Sequence, residues 1–361
     1  MENATDNQSC AFYEGYTATR FSLISAGNAV VLSGILCNGL LIWLFAGRSR
    51  AKFSTDTFYQ AVIALFDMFL CILYVLLFQV DALAYFLKTR VAYDLLFSYI
   101  LQAFVLSRIV QLVIPYLLIA VTFERLLWTY PNLDGAVLLV LKPRSRHVMV
   151  CAIITISILL RTPVGWSLEV VKFPECPDYF RSKTMDATDF FFTRQYQAYD
   201  SYLITSLQIF VPFFMLLLLN LIIAARLKIT KQQKERAMAV ETLSALAKDG
   251  PGVVLVLAIN RRRAKERKQL RSAISTMVVI TTSHLLCNSL NLLLIVCEKL
   301  QAPILYDDNH QYSAFYVIMG DVLSFLFALS SAVRILVYCI CNQEIRSHTL
   351  ALLRPISKTS F

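Results

Sequence analysis

Long apolar runs separated by short polar stretches dominate the chain. Three runs, 21–47, 201–225 and 272–297, contain no Asp, Glu, Lys or Arg. Crossing a bilayer takes a helix of about 20 mostly apolar residues, and each of these runs is long enough. Four further runs are apolar with one or two ionisable interruptions: 57–80 with Asp67, 95–123 with Arg108, 148–168 with Arg161, and 309–343 with Asp321 and Arg334. The pattern predicts an all-α fold, a bundle of seven transmembrane helices. It divides the chain into a tail over 1–20, a seven-helix domain over 21–341 and a second tail over 342–361.

Composition agrees with this reading. The 361 residues are 57% hydrophobic and 16% charged, against about 45–50% and about 25% in soluble domains. A single water-soluble core is excluded. The net charge of +10 does not point to nucleic acid, because most basic residues sit in short stretches between the apolar runs. With the N-terminus placed outside, the cytoplasmic segments hold 23 Lys and Arg and the extracellular ones 8, the bias that orients multi-pass proteins. Thirteen of the 23 lie in one connection, 226–271. The sequons Asn3-Ala4-Thr5 and Asn7-Gln8-Ser9 fall in the tail placed outside, making Asn3 and Asn7 glycosylation candidates. The first twenty residues are polar, so no cleavable signal peptide is expected and the first helix directs insertion. A plasma-membrane location follows as the expectation.

The connection 226–271 contains Gly250-Pro251-Gly252 and then seven apolar residues, 253–259, too few to span. They are expected to form a short helix or a docking segment, flanked by cytoplasmic extensions of the fifth and sixth helices. After the last run, Ile345, Leu350 and Leu353 recur among polar residues, the pattern of a short amphipathic helix on the inner leaflet. Cys339 and Cys341 at its start are palmitoylation candidates, with free thiols as the alternative. The nine cysteines form no CxxC pair and no zinc-spaced cluster with His, so no metal and no cofactor are expected.

Charges inside apolar runs are costly and mark sites. Arg108 lies seventeen residues before Arg125, about 25 Å along a helix, and Ser107, Arg108 and Gln111 share one face. His284, Asn288 and Asn291 form a similar polar stripe on the sixth helix. With Gln208, Glu298 and Asp321 near the same end, these residues outline a polar cavity for a peptide terminus or a charged small molecule. Hydrogen bonding between neighbouring helices is the alternative. Arg108 and Asp321 are expected to pair when the cavity is empty. Pro115, inside the third helix, removes one backbone hydrogen bond and should bend it.

Glu124-Arg125 closes the third span, where an acid beside an arginine can hold it until helices separate. In this the chain resembles the rhodopsin-like (class A) G-protein-coupled receptors, and the resemblance covers roughly 21–346. Asn38 looks like that family's polar anchor in the first helix. Asp67 after Ala64-Leu65-Phe66 is similar to its acid in the second. Pro212 falls at the kink of the fifth, and Tyr338 matches the Tyr near the inner end of the seventh. Leu285-Leu286-Cys287-Asn288 with Glu298 resembles FMRFamide-type neuropeptide receptors and their nematode relatives.

The departures are specific. The family ties the second extracellular loop to the third helix by a disulfide; Cys176 is in that loop, yet no cysteine lies between Cys71 and Cys151. Cys10 or Cys297 is then the candidate partner. Asn288 and Leu290 stand where the family often has Trp and Pro. Arg334-Ile335 replaces the usual Asn-Pro. Asp67 sits about 18 Å into the second helix and Arg334 about 10 Å up from the end of the seventh, so an Asp67–Arg334 ion pair is expected in place of the sodium site the family implies.

The resemblance implies a receptor, not an enzyme. An extracellular peptide or small molecule would bind at the outer end, and a heterotrimeric G protein, with arrestin as a further partner, around Glu124, Arg125 and Tyr338. A small-molecule chemosensory receptor, a non-signalling receptor-like protein and a seven-helix channel are the alternatives. A channel requires a polar row through the full membrane depth, and none is visible.

Overall fold

The computed structural model describes residues 10–11, 17–47, 58–130, 142–245, 253–300, 303–305, 313–341, 345–347 and 349, without the side chains of 46–47, 230–245, 253–273, 303 and 314. Seven of its helices are long and apolar enough to cross a membrane: α1 Ala18–Phe45, α2 Phe58–Tyr85, α3 Arg90–Leu127, α4 Pro143–Gly165, α5 Arg194–Ile229, α6 Ile274–Lys299 and α7 Phe315–Cys341. The protein is an all-α seven-helix bundle and a multi-pass membrane protein. Helices suit this setting because they satisfy their backbone groups internally, with no water needed.

The distribution of side chains is inverted relative to a soluble bundle. Leu36, Leu286 and Ile340 point outward at 76%, 69% and 76% exposure, a surface that water would penalise and hydrocarbon would not. Asn38, Asp67, Thr122, Thr281, Ser331 and Arg334 are buried inside. α3 runs through the centre, with Val113, Leu117, Leu118 and Val121 packed against Leu216 of α5, Met277 and Ile280 of α6, and Ile335 of α7.

Helix ends differ from the hydropathy limits for local reasons. α2 runs on past Asp81, through a π-helical turn at Val75–Gln79, and a left-handed Lys88 (φ 49°) leads into α3. α4 stops short of 168, tightening into a 3₁₀ turn at Thr162–Gly165, where Pro163 withholds a backbone donor. Leu168 instead opens a hairpin, β1 Leu168–Lys172 pairing antiparallel with β2 Lys183–Ala187, Val170 opposite Met185. The hydropathy pattern does not anticipate this hairpin.

α5 begins seven residues before 201, capped by Thr193 accepting from Tyr196 N. It widens into π-helical turns at Tyr199–Ile204 and Ser206–Phe210. Pro212 follows; its ring crowds the carbonyl four residues back and it donates no hydrogen bond, so the preceding turns relax outward. Pro115, by contrast, is buried inside α3 without interrupting the helix.

The apolar segment 253–259 is no separate helix. It forms the first turns of one continuous helix, Val253–Lys299, that becomes α6, while α5 continues to Ala245. α7 breaks at Val333 into Ala314–Ala332 and Arg334–Cys341, without a proline. At this level α1 and α7 touch: a Cβ on Gly34 would sit 2.6 Å from the Ala332 Cβ. Asn38 Nδ2 donates there to the Gly34 and Ser331 carbonyls at 3.0 and 3.2 Å. Beyond α7, Ile345 and Thr349 are buried; Leu350 and Leu353, the rest of the expected amphipathic stripe, lie outside the described residues.

Candidate functional site

A cavity of about 780 Å³ opens at the end of the bundle that carries the N-terminus. Five helices contribute stripes at three- and four-residue spacing, the signature of one helical face: Leu73, Tyr74, Leu77 and Asp81 from α2, Phe104, Ser107, Arg108 and Gln111 from α3, and Asp200, Ile204 and Gln208 from α5. α6 adds Asn291, Ile295 and Glu298, and α7 adds Val317, Asp321 and Ser324.

Six of the seven expected ligand residues, Arg108, Gln111, Gln208, Asn291, Glu298 and Asp321, therefore line one space. Asn288 does not. Its amide is turned back on its own helix, donating to the His284 carbonyl at 2.8 Å and lying 3.1 Å from His284 Nε2. Both residues border a small pocket below the cavity with Pro115, Pro212 and Phe327. Gln208 Nε2 donates to Gln111 Oε1 at 3.4 Å and forms part of the floor.

The expected Arg108–Asp321 pair is replaced by another. Asp321 is gripped by Arg20, whose Nε and Nη2 donate at 2.7 and 3.2 Å, a two-point contact from the first turn of α1. Arg161 reaches Asp200 at 3.4 Å. Arg108 lies over the Phe104 ring at 4.8 Å. Arg20, Asp81 and Asp200 are thus cavity residues that hydropathy missed, while Arg161, which interrupts its apolar run, was not assigned to the cavity. Arg20 and Asp200 each precede an apolar run by one residue, so they read as loop charges. Asp81 falls just past the predicted end of its run.

The β1–β2 hairpin covers the cavity, contributing Leu168 and Met185 to its lining. Cys176, between its strands, is disulfide-bonded to Cys10, while Cys297 is a free thiol. Ala11 and Arg181 add a backbone bond of 3.0 Å and an Arg181 Nε to Ala11 O bond of 2.9 Å, so the N-terminal segment straps the hairpin. At the head of α3, where no cysteine exists, polar contacts take over. Tyr93 Oη accepts from Lys183 N at 2.9 Å, and Lys183 Nζ and Tyr179 Oη reach the Asp94 carboxylate at 2.7 and 2.5 Å. That carboxylate holds the Lys183 ammonium above its ordinary pKa.

Beneath the cavity runs a buried polar column. Arg334 Nη1 lies 2.5 Å from Asp67 Oδ2, with side chains 2% and 0% exposed, and Ser331 Oγ donates to Asp67 Oδ1 at 2.7 Å. The Nε and Nη2 of Arg334 and the Tyr338 hydroxyl are buried with no hydrogen-bond partner among the described residues. Tyr338 packs edge-on to Phe45 at 5.5 Å. At the far end of the bundle Glu124 accepts from Arg146 of α4 at 2.6 Å, and the Arg125 guanidinium lies 3.9 Å over the Trp128 ring. Glu124 thus also bonds across to a neighbouring helix. Thr281 of α6 donates to Asn220 of α5 at 2.7 Å.

Cys339 and Cys341 are half-buried and in no disulfide, and Cys339 Sγ lies 3.8 Å from Thr349 Oγ1. Asn3 and Asn7 lie outside the described residues. Among the described residues no three His, Cys, Asp or Glu side chains gather to hold a metal ion.

Fold and site together define a multi-pass seven-helix membrane protein with a covered polar cavity at one end and a sealed polar column below it. Neither a protein-family model nor a curated protein sequence matches the chain.

Proposed function

We propose that the chain is a ligand-activated receptor of the rhodopsin-like kind, with its N-terminus and cavity outside the cell and a heterotrimeric G protein binding the opposite end, in the plasma membrane. One observation carries this reading: a cavity of about 780 Å³, within the range of about 300–1,000 Å³ typical of ligand sites, stands directly above a column of buried polar side chains. Phe327 borders both the cavity and the pocket below and packs against His284. A ligand that prefers one arrangement of these helices shifts the population toward it, and the far ends of α3, α5, α6 and α7 move with it. Arg125, Glu124 and Tyr338 are the residues that would present the changed surface to the G protein, and later to arrestin. A peptide ligand is what the resemblance implies. A small chemosensory molecule is the second reading, favoured by the hairpin that roofs the cavity.

The test is expression in cells with a panel of peptides and small polar molecules and reporters for several G proteins. A dose-dependent response abolished by Arg125→Ala is expected. Surface expression accompanied by ion current and no G-protein response to any ligand overturns the proposal.

A further inference from the structure

The charges that line the cavity are not mutually satisfied, and they are segregated. On the α3–α4–α5 side stand two guanidiniums, Arg108 and Arg161, with one carboxylate, Asp200. Asp200 lies 3.4 Å from Arg161 and is 42% exposed, far looser than the roughly 2.7–2.9 Å of a strong charge-assisted bond. The Arg161 Nε is buried without a hydrogen-bond partner among the described residues. Arg108 has no ion pair or hydrogen bond with any described residue; it lies over the Phe104 ring and shares the field of Asp200 with Arg161. Its charge is felt by Arg161, so the two cations repel across the same part of the wall. That side carries one positive charge more than it neutralises.

The α1–α2–α7 side is the reverse. Among the described residues Asp321 and Asp81 face a single cation, Arg20. Arg20 is committed to Asp321 by two hydrogen bonds, and Asp81 has no ion pair or hydrogen bond with a described residue. On this side two carboxyl groups share one cation among the described residues. At the rim, Glu298 and Lys299 add one charge of each sign.

Leaving charges uncompensated beside low-dielectric walls is costly, and such a cost is tolerated where a bound molecule removes it. We propose that the cavity binds a zwitterion: a molecule whose carboxylate is held by Arg108 and Arg161 and whose ammonium is held by Asp81, that is, a free amino acid or a short peptide unblocked at both ends. This deepens the receptor reading and rests on it for the cavity facing outward. A C-terminal amide would bring no anion to the arginines.

The experiment uses the full chain purified in detergent, with thermal melting as the readout. Probes are the free amino acids and di- and tripeptides covering every side-chain class, each with a C-terminally amidated and an N-acetylated twin. An unblocked member is expected to raise the melting temperature saturably, amino acids against peptides showing which length fits. Its amide should bind about 10- to 100-fold more weakly, the loss of hydrogen bonds to a charged group. Arg108→Gln should erase the preference for free acid over amide, and Asp81→Asn the preference for free amine over acetylated amine, with each variant still melting cooperatively. Equal binding of acid and amide, or stabilisation by no unblocked member, overturns the proposal. Zwitterion binding with no G-protein response keeps this site and removes the receptor reading. A G-protein response to amidated peptides that survives Arg108→Gln does the opposite.

Discussion

Two sets of charges lie at different depths in this bundle, and they are treated in opposite ways. Asp67 and Arg334 are in contact, closed off from solvent and backed by Ser331 and Asn38. The charges of the cavity a few turns away are spread round a wall, with one pair loose, one pair tight and two residues, Arg108 and Asp81, in no ion pair among the described residues. Both arrangements cost desolvation. The first offsets much of it from within the chain, the second only through the Arg20–Asp321 pair. The contrast teaches that the deep pair belongs to the architecture and holds α2 to α7, whereas the shallow set is incomplete in a way that a ligand can complete.

The largest effect should come from the deep pair. Removing one partner of a buried ion pair leaves the other uncompensated, at about 3–5 kcal/mol. Asp67→Ala is expected to abolish surface expression and cooperative melting. Asp67→Leu combined with Arg334→Met removes both charges and should recover most of the stability, since well-packed apolar replacements are often neutral. The exchange Asp67→Arg with Arg334→Asp should recover part of it. If neither double variant melts above Asp67→Ala, the pair is not what joins α2 to α7.

Next in size is the helix contact at the same depth. Gly34→Val would push a side chain into Ala332, where even a Cβ would be 2.6 Å away. Overpacking of this kind costs about 1–3 kcal/mol, read as a lower melting temperature, and Ala332→Gly should return part of it. Arg20→Ala comes below that. Its side chain is 28% exposed, so solvent screens the pair with Asp321 and the loss should be about 1 kcal/mol or less. The sharper readout is selectivity: with Asp321 freed beside Asp81, compounds bearing two amines should gain affinity. An unchanged preference would show that the negative wall does not contact the ligand.

How much of this was legible beforehand follows the same division by depth. The seven helices and the Asp67–Arg334 contact are readable because the bilayer writes them as hydropathy: a charge in an apolar run must find a partner, and helical rise places only a few within reach. The cavity's Arg108, Gln111 and Asp321 were visible for the same reason. Arg20, Asp81 and Asp200 were not, because at a helix end a charged residue looks the same whether it faces water or turns inward. Asn288 misled in the other direction. Its spacing puts it in line with Asn291, yet a side chain that can bond its own helix at His284 has no need of the cavity. The roof was illegible altogether: a short hairpin of mixed residues has neither the length nor the alternation to stand out beside seven spans.

The smallest expected effect concerns that roof, and it separates stability from motion. Asp94 and Lys183 form an ion pair with side chains 52% and 25% exposed, the kind that contributes little to global stability. Lys183→Ala should leave the melting temperature where it is. Among the described residues the hairpin is nevertheless tied down at two places, the Cys10–Cys176 strap and the Tyr93–Asp94–Tyr179–Lys183 cluster at the head of α3, so loosening one should raise local opening without global unfolding. Hydrogen exchange measured over 168–187 is expected to quicken in Lys183→Ala, quicken in Cys10→Ser, and quicken most in the double variant, while exchange in the core of α3 stays unchanged. If exchange in the hairpin is indifferent to Lys183 but follows Cys10, the roof is held by its covalent strap alone. The polar cluster would then be surface decoration, and a cavity roofed from one side only would exchange its ligand faster than a doubly anchored one.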